Sequence, residues 1–177
     1  MTDLVYYLVL FFFSALVGFV GERALYPVIK KCRVEKGGVL RGPYHPIFGF
    51  GGLIIALLLN VLDNFFLYVV VAMMMVAVLE YATGYMLERV FDRKWWDYSK
   101  YKFNLHGRIS LQYILLFGVF ATLFRLVYPY ISMAIRVLES DLLTVVVGVL
   151  VGVFVVDLVT SAIRLRRGAG KTRRKAR

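Results

Sequence analysis

The chain has 177 residues, of which 60% are hydrophobic, and a formal net charge of +11 at pH 7. Soluble domains are about 45–50% apolar, so the composition excludes an ordinary soluble domain and favours one compact membrane-embedded bundle. The positive charge is divided among separate segments, which excludes a basic groove for nucleic acid and indicates attraction to membrane lipid headgroups.

Three polar segments hold 20 of the 22 Lys and Arg residues, namely residues 22–41, 89–108 and 164–177. Lys and Arg that flank membrane spans stay on the cytoplasmic side. The pattern therefore predicts a multi-pass protein of a prokaryotic plasma membrane, with these segments in the cytoplasm. The N-terminus is expected outside and the C-terminus inside.

The apolar stretches between these segments predict an all-α fold, a polytopic helix bundle with about five transmembrane helices. Their approximate bounds are 4–25, 46–62, 65–89, 108–127 and 142–163. Connections near 63–64 and 128–141 are expected outside. Residues 1–163 then form a single transmembrane domain, and residues 164–177 form a basic cytoplasmic tail that is predicted to be disordered.

The second span is short and rich in glycine. It begins after the sequence Gly-Pro-Tyr-His at 42–45, with Pro46 at the first helical position, which suits a helix start. Glycines at 49, 51 and 52 weaken a helix and permit close approach of neighbours. We expect this span to pack inside the bundle and to be partly broken, because irregular backbone at membrane depth must be covered by protein.

A short internal repeat links the first and third spans. Residues 18–23 and 84–89 share a glycine and a Glu-Arg pair at the same spacing, and each is followed by a basic loop with a histidine. Parallel repeats of this kind occur in transporters. Similar sequences at membrane exits are the alternative explanation.

Four carboxylates lie in or near the cytoplasmic half of the predicted spans: Glu22, Glu80, Glu88 and Asp157. Ionisable groups within spans are costly and usually face an interior site. Helical spacing places Glu80 and Glu88 on one side of the third span. Asp157, Thr160, Ser161 and Arg164 form a similar stripe on the fifth, so we expect a polar cavity open to the cytoplasm. Buried structural ion pairs, for example with Arg108, and solvated interfacial pairs at Glu22 and Glu88 are the alternatives.

Residues 92–110 alternate aromatic and charged side chains. An interfacial aromatic belt explains the aromatic residues. It does not require Asp97, Asn104 or His106, which we expect to fold back over the mouth of the cavity. Two histidines and one cysteine in distant segments predict no metal site, and no motif predicts a cofactor.

Five motifs occur in a fixed order along the chain. They are Arg41-Gly-Pro-Tyr-His-Pro-Ile-Phe-Gly-Phe-Gly51, Leu79-Glu-Tyr-Ala-Thr-Gly84, Leu87-Glu88, Trp95-Trp-Asp-Tyr-Ser99 and Phe103-Asn-Leu-His-Gly-Arg-Ile-Ser-Leu111. With Gly18, Glu22 and Asp157, this arrangement resembles the CmpB-like family of small membrane proteins described as ABC-transporter permeases, over roughly residues 10–160. The resemblance implies a transport role. The chain has no ATPase motif, so an ABC role requires a separate ATPase subunit.

The sequence favours a permease-like protein that binds or moves a small polar or ionic substrate. In this interpretation Glu80 and Asp157 are the buried charges, and Arg108 and Arg41 are counter-ions or anion contacts. The mouth of the cavity would contain Tyr44, His45, Asp97, Tyr98, Asn104 and His106. Five spans are few for a transport path, so a homo-oligomer is expected.

The sequence leaves two alternative functions open. The first is an intramembrane enzyme that acts on a lipid or isoprenoid-linked substrate at the cytoplasmic interface, because carboxylate, Arg, His and Tyr groups there suit acid–base or phosphate chemistry. The second is a scaffold in which the polar residues only fix helix packing. The sequence favours a non-enzymatic role over the enzyme.

Overall fold

The computed structural model of the protein describes residues 3–25, 33–34 and 39–175. Five helices account for most of these residues: α1 (Asp3–Leu25), α2 (Pro46–Leu59), α3 (Phe65–Phe91), α4 (Leu111–Val137) and α5 (Asp141–Lys175). Four two-residue strands lie in the loops: β1 (Arg33–Val34), β2 (Trp96–Asp97), β3 (Asn104–Leu105) and β4 (Ile109–Ser110). The predicted all-α bundle of five helices is confirmed.

Four of the helices, α1, α3, α4 and α5, are long and apolar enough to cross a membrane. The fifth, α2, has 14 residues and is about 21 Å long at 1.5 Å per residue. A bilayer core is about 30 Å thick. The α2 helix therefore needs additional backbone to complete a crossing.

The end of α4 differs from the sequence prediction. The helix continues through Pro129 to Val137, so the predicted outer connection at 128–141 is wrong and only residues 138–140 separate α4 from α5. Proline is tolerated within transmembrane helices because one lost hydrogen bond is compensated locally. The α5 helix continues to Lys175, beyond the predicted boundary at 163 and into the segment expected to be disordered.

The α1 and α2 helices pack closely through three glycines. A Cβ atom on Gly18 would lie 2.1 Å from Cγ of Phe48, and one on Gly52 would lie 2.2 Å from Oγ of Ser14. A Cβ on Gly49 would lie 2.6 Å from the ring of Phe11. Small residues at these points let the two backbones approach each other, as is usual for helices in membranes.

The α2 helix begins deep within the bundle. The backbone N–H of His45 donates to the carbonyl of Ala15 at 3.1 Å, and α1 continues for ten more residues to Leu25, or about 15 Å. Residues 39–45 therefore run without helical structure beside the final turns of α1. The irregular backbone precedes α2 and does not interrupt it, so the expectation of a partly broken helix is wrong.

The loops before α2 and before α4 lie at the same end of the bundle, which we call the loop end. Strand β1 pairs antiparallel with β2, so that Arg33 is opposite Asp97, and this pairing joins the first two basic segments. Strands β3 and β4 form a hairpin. The polar residues from both loops are thereby brought to one end of the helices.

Candidate functional site

The carboxylate of Asp157, on α5, holds the irregular segment that precedes α2. It accepts hydrogen bonds from the backbone N–H of Arg41 at 3.0 Å and of Gly42 at 2.9 Å. It also accepts from the hydroxyls of Tyr44 at 2.9 Å and Ser161 at 3.0 Å. We call these five residues the Asp157 cluster.

The Asp157 cluster satisfies backbone groups that a membrane cannot satisfy. No water is present in the bilayer core, so N–H groups of non-helical backbone need a protein partner there. Asp157 is ten residues before Arg167, where the candidate span ends. Arg41 contacts it through its backbone rather than as the expected counter-ion. Both carboxylate oxygens have partners, which indicates a structural role for this residue.

A second contact joins the same segment to α1. The imidazole Nε2 of His45 lies 3.1 Å from a carboxylate oxygen of Glu22, and the His45 ring contacts that of Phe19. On the other side, the guanidinium of Arg164 donates to the carbonyl of Val39 at 3.3 Å. Side chains from α1 and α5 therefore hold residues 39–45 from two directions.

Glu80 lies in a different environment, on α3. Its side chain is buried, with 8% of the residue exposed. The hydroxyl of Tyr98, from the loop between α3 and α4, donates to Oε1 at 2.8 Å. The other oxygen, Oε2, is also buried and has no hydrogen-bond partner among the described residues. We call Glu80 and Tyr98 the Glu80 site.

Aromatic rings fix the position of the Tyr98 hydroxyl. The Tyr98 ring lies 4.4 Å from that of Tyr113 on α4 and 5.8 Å from that of Tyr101, measured between centroids. Glu80 is eleven residues before the end of α3 at Phe91, or about 16 Å along the helix. The loop between α3 and α4 therefore folds back along α3 as far as Glu80.

Arg108 pairs with Glu88 rather than with Glu80 or Asp157. Its Nε and Nη2 atoms donate to the same Glu88 oxygen at 2.9 and 2.7 Å. The hydrogen bonds to Glu88 raise the pKa of the guanidinium above its usual value, so it stays charged. The Arg108 carbonyl accepts from the Trp96 indole at 2.9 Å, which ties the loop to its own hairpin.

His106 and Gly107 form the turn between β3 and β4. Both have positive φ angles, 54° and 68°, and Arg108 N donates to the Leu105 carbonyl, as in a type I′ turn. His106 Nδ1 lies 3.0 Å from the hydroxyl of Tyr81. The turn thereby places an imidazole beside α3.

Asp97 and Asn104 stabilise the loop itself. One Asp97 oxygen accepts from the backbone N–H of Ser99 at 3.0 Å. Asn104 donates to the Tyr101 carbonyl at 2.7 Å and accepts from Gly107 N at 2.9 Å. These bonds shape the turns that carry Tyr98 and His106.

The structure divides the predicted residues into two groups. The Asp157 cluster with His45 and Glu22 is one, and the Glu80 site with Glu88 and Arg108 is the other. Glu80 and Asp157 have no hydrogen-bond partner in common. Glu22 and Glu88, which follow Gly18 and Gly84 at the same spacing, each contact a side chain from the following loop, His45 or Arg108.

Sequence reasoning missed Trp96 and Tyr81, which hold Arg108 and His106 in place. The only feature of the sequence that could have pointed to Tyr81 is its position directly after Glu80. Trp96 was assigned to an interfacial belt, although its indole N–H has a specific protein acceptor.

Replacing Arg108 with lysine should loosen the loop between α3 and α4. Lysine lacks the guanidinium fork that places two donors on Glu88. Both tryptophans of the chain, Trp95 and Trp96, lie in this loop, so tryptophan fluorescence reports on it selectively. We expect stronger acrylamide quenching in Arg108→Lys. Lys100→Arg, at an exposed position of the same loop, should leave quenching unchanged, and equal quenching in both variants would contradict the prediction.

Two described cavities lie away from both carboxylates. One, of about 140 Å³, is at the end of the bundle opposite the loop end and is lined by Asp3, Tyr6, Tyr7, Asn60, Tyr128, Arg136 and Glu139. The other, of about 220 Å³, is an apolar groove between α1 and α5. Neither is lined by Glu80 or Asp157.

Comparison with known proteins gives one family. A family model described as "Putative ABC-transporter type IV" (ABC_trans_CmpB) matches residues 9–162. This range includes α2, α3 and α4 completely, together with most of α1 and the first 22 residues of α5. No curated protein and no solved structure matches the chain.

Proposed function

The chain belongs to the family described as "Putative ABC-transporter type IV", and from this premise we propose that it is the membrane-embedded subunit of a transport complex, with Glu80 as the group that binds a small cationic solute. The family match and the four long apolar helices indicate a multi-pass membrane protein of a transport-related family.

One observation carries the proposal: Oε2 of Glu80 is buried without a hydrogen-bond partner among the described residues. Buried polar atoms normally have partners, so an exception calls for an explanation such as a bound ligand. Arg108, which is a candidate counter-ion, is bonded to Glu88. A small cation would compensate the Glu80 carboxylate at low dielectric.

A second buried polar atom has no partner among the described residues, which supports the presence of a ligand or water between Glu80 and the loop end. It is Oγ of Ser110, which is 1% exposed and precedes α4. Ser110 belongs to β4, which contacts both α3 and α4. Its hydroxyl and the Glu80 carboxylate are both available as oxygen ligands, the type that hard cations prefer.

The scaffold alternative explains Asp157 better than it explains Glu80. A scaffold requires polar groups that are fully paired with one another, and both oxygens of Asp157 meet that requirement. Glu80 does not, because one of its oxygens is unsatisfied. The enzyme alternative is favoured by one observation, the contact of His106 with Tyr81 beside the charged Arg108.

Partners follow from the family and the size of the chain. The sequence contains no ATPase motif, so we propose that a separate ATPase subunit supplies energy. Four long spans and one short helix are few for a complete path, and we propose that two or more copies assemble around it. We propose the prokaryotic plasma membrane as the location.

Thermal unfolding of the purified protein with Na⁺, K⁺ or NH₄⁺ tests the proposal, with choline chloride keeping the ionic strength constant. A cation that binds only the folded state, and is present at a concentration of 100 times its Kd, stabilises that state by about 2.7 kcal/mol. We expect at least one of the three to raise the unfolding temperature of the parent protein. Glu80→Gln should lose that response while retaining its hydrogen bond with Tyr98.

Two further variants separate binding from folding. Asp157→Asn should be less stable and should keep the cation response, because Asp157 lies outside the Glu80 site. His106→Ala should keep the response as well. The proposal fails if no cation stabilises the parent protein, or if Glu80→Gln responds equally.

A further inference from the structure

A polar cavity lies at the end of the bundle opposite the loop end, and nothing in the function proposed above uses it. Its volume is about 140 Å³, which corresponds to roughly five water molecules at about 30 Å³ each. Residues from α1, α2 and α4 and from the short connection after α4 line it. It therefore has room for a small solute and walls from several elements.

Three tyrosines line the cavity, and contacts within the bundle hold them in position. Tyr6 is 8% exposed, and its hydroxyl donates to that of Tyr128 at 3.0 Å. The Tyr128 ring stacks on Phe124, and the Tyr6 ring packs edge-on against Tyr7. These contacts restrict the rotation of the Tyr6 and Tyr128 side chains that line the cavity.

The rim carries both signs of charge. Arg136 lies with its guanidinium carbon 5.6 Å from the centre of the Tyr6 ring, a distance at which a cation–π interaction holds it over that ring. Asp3 and Glu139 also line the cavity, and all three charged residues are exposed. Glu139 has an interaction partner of its own, so Asp3 supplies the negative charge for a ligand. Asn60, at the end of α2, adds an amide that both donates and accepts.

We propose that this cavity binds a small zwitterion that carries an ammonium and a carboxylate group, as in a small amino acid. A simple anion would be repelled by Asp3, and a simple cation would be repelled by Arg136. A molecule with both charges places its carboxylate at Arg136 and the tyrosine hydroxyls. Its ammonium group then faces Asp3.

This inference is independent of the Glu80 site. The cavity lies at the end of the bundle opposite the loop end, whereas Glu80 lies near the middle of α3, and the two sites have no residue in common. A ligand in the cavity would lie at the ends of the transmembrane helices, whereas a ligand at Glu80 would lie within the membrane-spanning part of the bundle. Either site can therefore be correct without the other, and one set of variants distinguishes them.

Isothermal titration of the full-length protein in nanodiscs tests the inference with three probes: glycine, acetate and methylammonium. We expect glycine to bind more tightly than either single-charge probe. Arg136→Gln should weaken glycine binding about tenfold, because a charge-assisted pair is lost. Asp3→Asn should also weaken glycine binding, because the ammonium group loses its negatively charged partner. This variant provides the test if Arg136→Gln folds poorly.

The control is Glu80→Gln, which should bind glycine as the parent protein does. Arg136→Gln should in turn retain the stabilisation by cations that is expected of the Glu80 site. Acetate or methylammonium binding as tightly as glycine would overturn the inference. So would the absence of glycine binding, or unchanged binding in both Arg136→Gln and Asp3→Asn.

Discussion

Replacing Asp157 with alanine should lower the free energy of unfolding by about 4 kcal/mol, through loss of charged acceptors and exposure of unsatisfied donors. The substitution leaves the N–H groups of Arg41 and Gly42 without the carboxylate that accepts from both. Those groups lie beside the final turns of α1, where lipid cannot accept a hydrogen bond. Asp157→Asn keeps one oxygen acceptor, and we expect it to lose about half as much, or about 2 kcal/mol.

Unfolding by SDS titration in mixed micelles measures this effect. Thr160→Ala is a matched control on the same helix, because the Thr160 hydroxyl donates only within α5, to the backbone carbonyl of Asp157. A surface change of this kind alters stability by less than about 0.5 kcal/mol. If Asp157→Ala were as stable as Thr160→Ala, residues 39–45 would not depend on the carboxylate.

Replacing Gly18 with alanine should destabilise the protein by about 3 kcal/mol, the upper range for overpacking a close contact. The added Cβ would lie 2.1 Å from Cγ and 2.4 Å from Cβ of Phe48. Both atoms are near the α2 backbone, so a simple rotation of the ring does not relieve the overlap. The α1 and α2 helices would have to separate.

Gly21 provides the control on the same helix. A Cβ at Gly21 meets no atom within 4 Å among the described residues, and alanine favours a helix over glycine by about 1 kcal/mol. We therefore expect Gly21→Ala to be neutral or slightly stabilising in the same SDS titration. Equal stability of Gly18→Ala and Gly21→Ala would show that α1 and α2 do not pack as described.

Hydropathy and charge were sufficient to predict the five helices. Long apolar stretches and a proline at the start of α2 are local signals, and they gave its first residue, Pro46, correctly. The continuation of α4 past Pro129 was not predictable in this way. A proline in water ends a helix, whereas in a membrane the surrounding helix retains its other hydrogen bonds.

The candidate residues were predictable individually and not as clusters. Intramembrane carboxylates stand out in an apolar sequence, so Glu80 and Asp157 were both identified. The partners of Asp157 include the backbone N–H groups of Arg41 and Gly42, which leave no side-chain signal. The cavity formed by Tyr6, Tyr128 and Arg136 was missed because its residues lie far apart in the chain.

The central claim is that Glu80 keeps one carboxylate oxygen available to a small cation. Infrared difference spectroscopy of the carboxyl stretching bands, recorded on addition of Na⁺, K⁺ or NH₄⁺, tests it most directly. The account predicts a carboxyl band that changes with at least one of these cations in the parent protein and in Asp157→Asn, and that is absent from Glu80→Gln. A spectrum that does not change with any of the three, or a change that persists in Glu80→Gln, would contradict it.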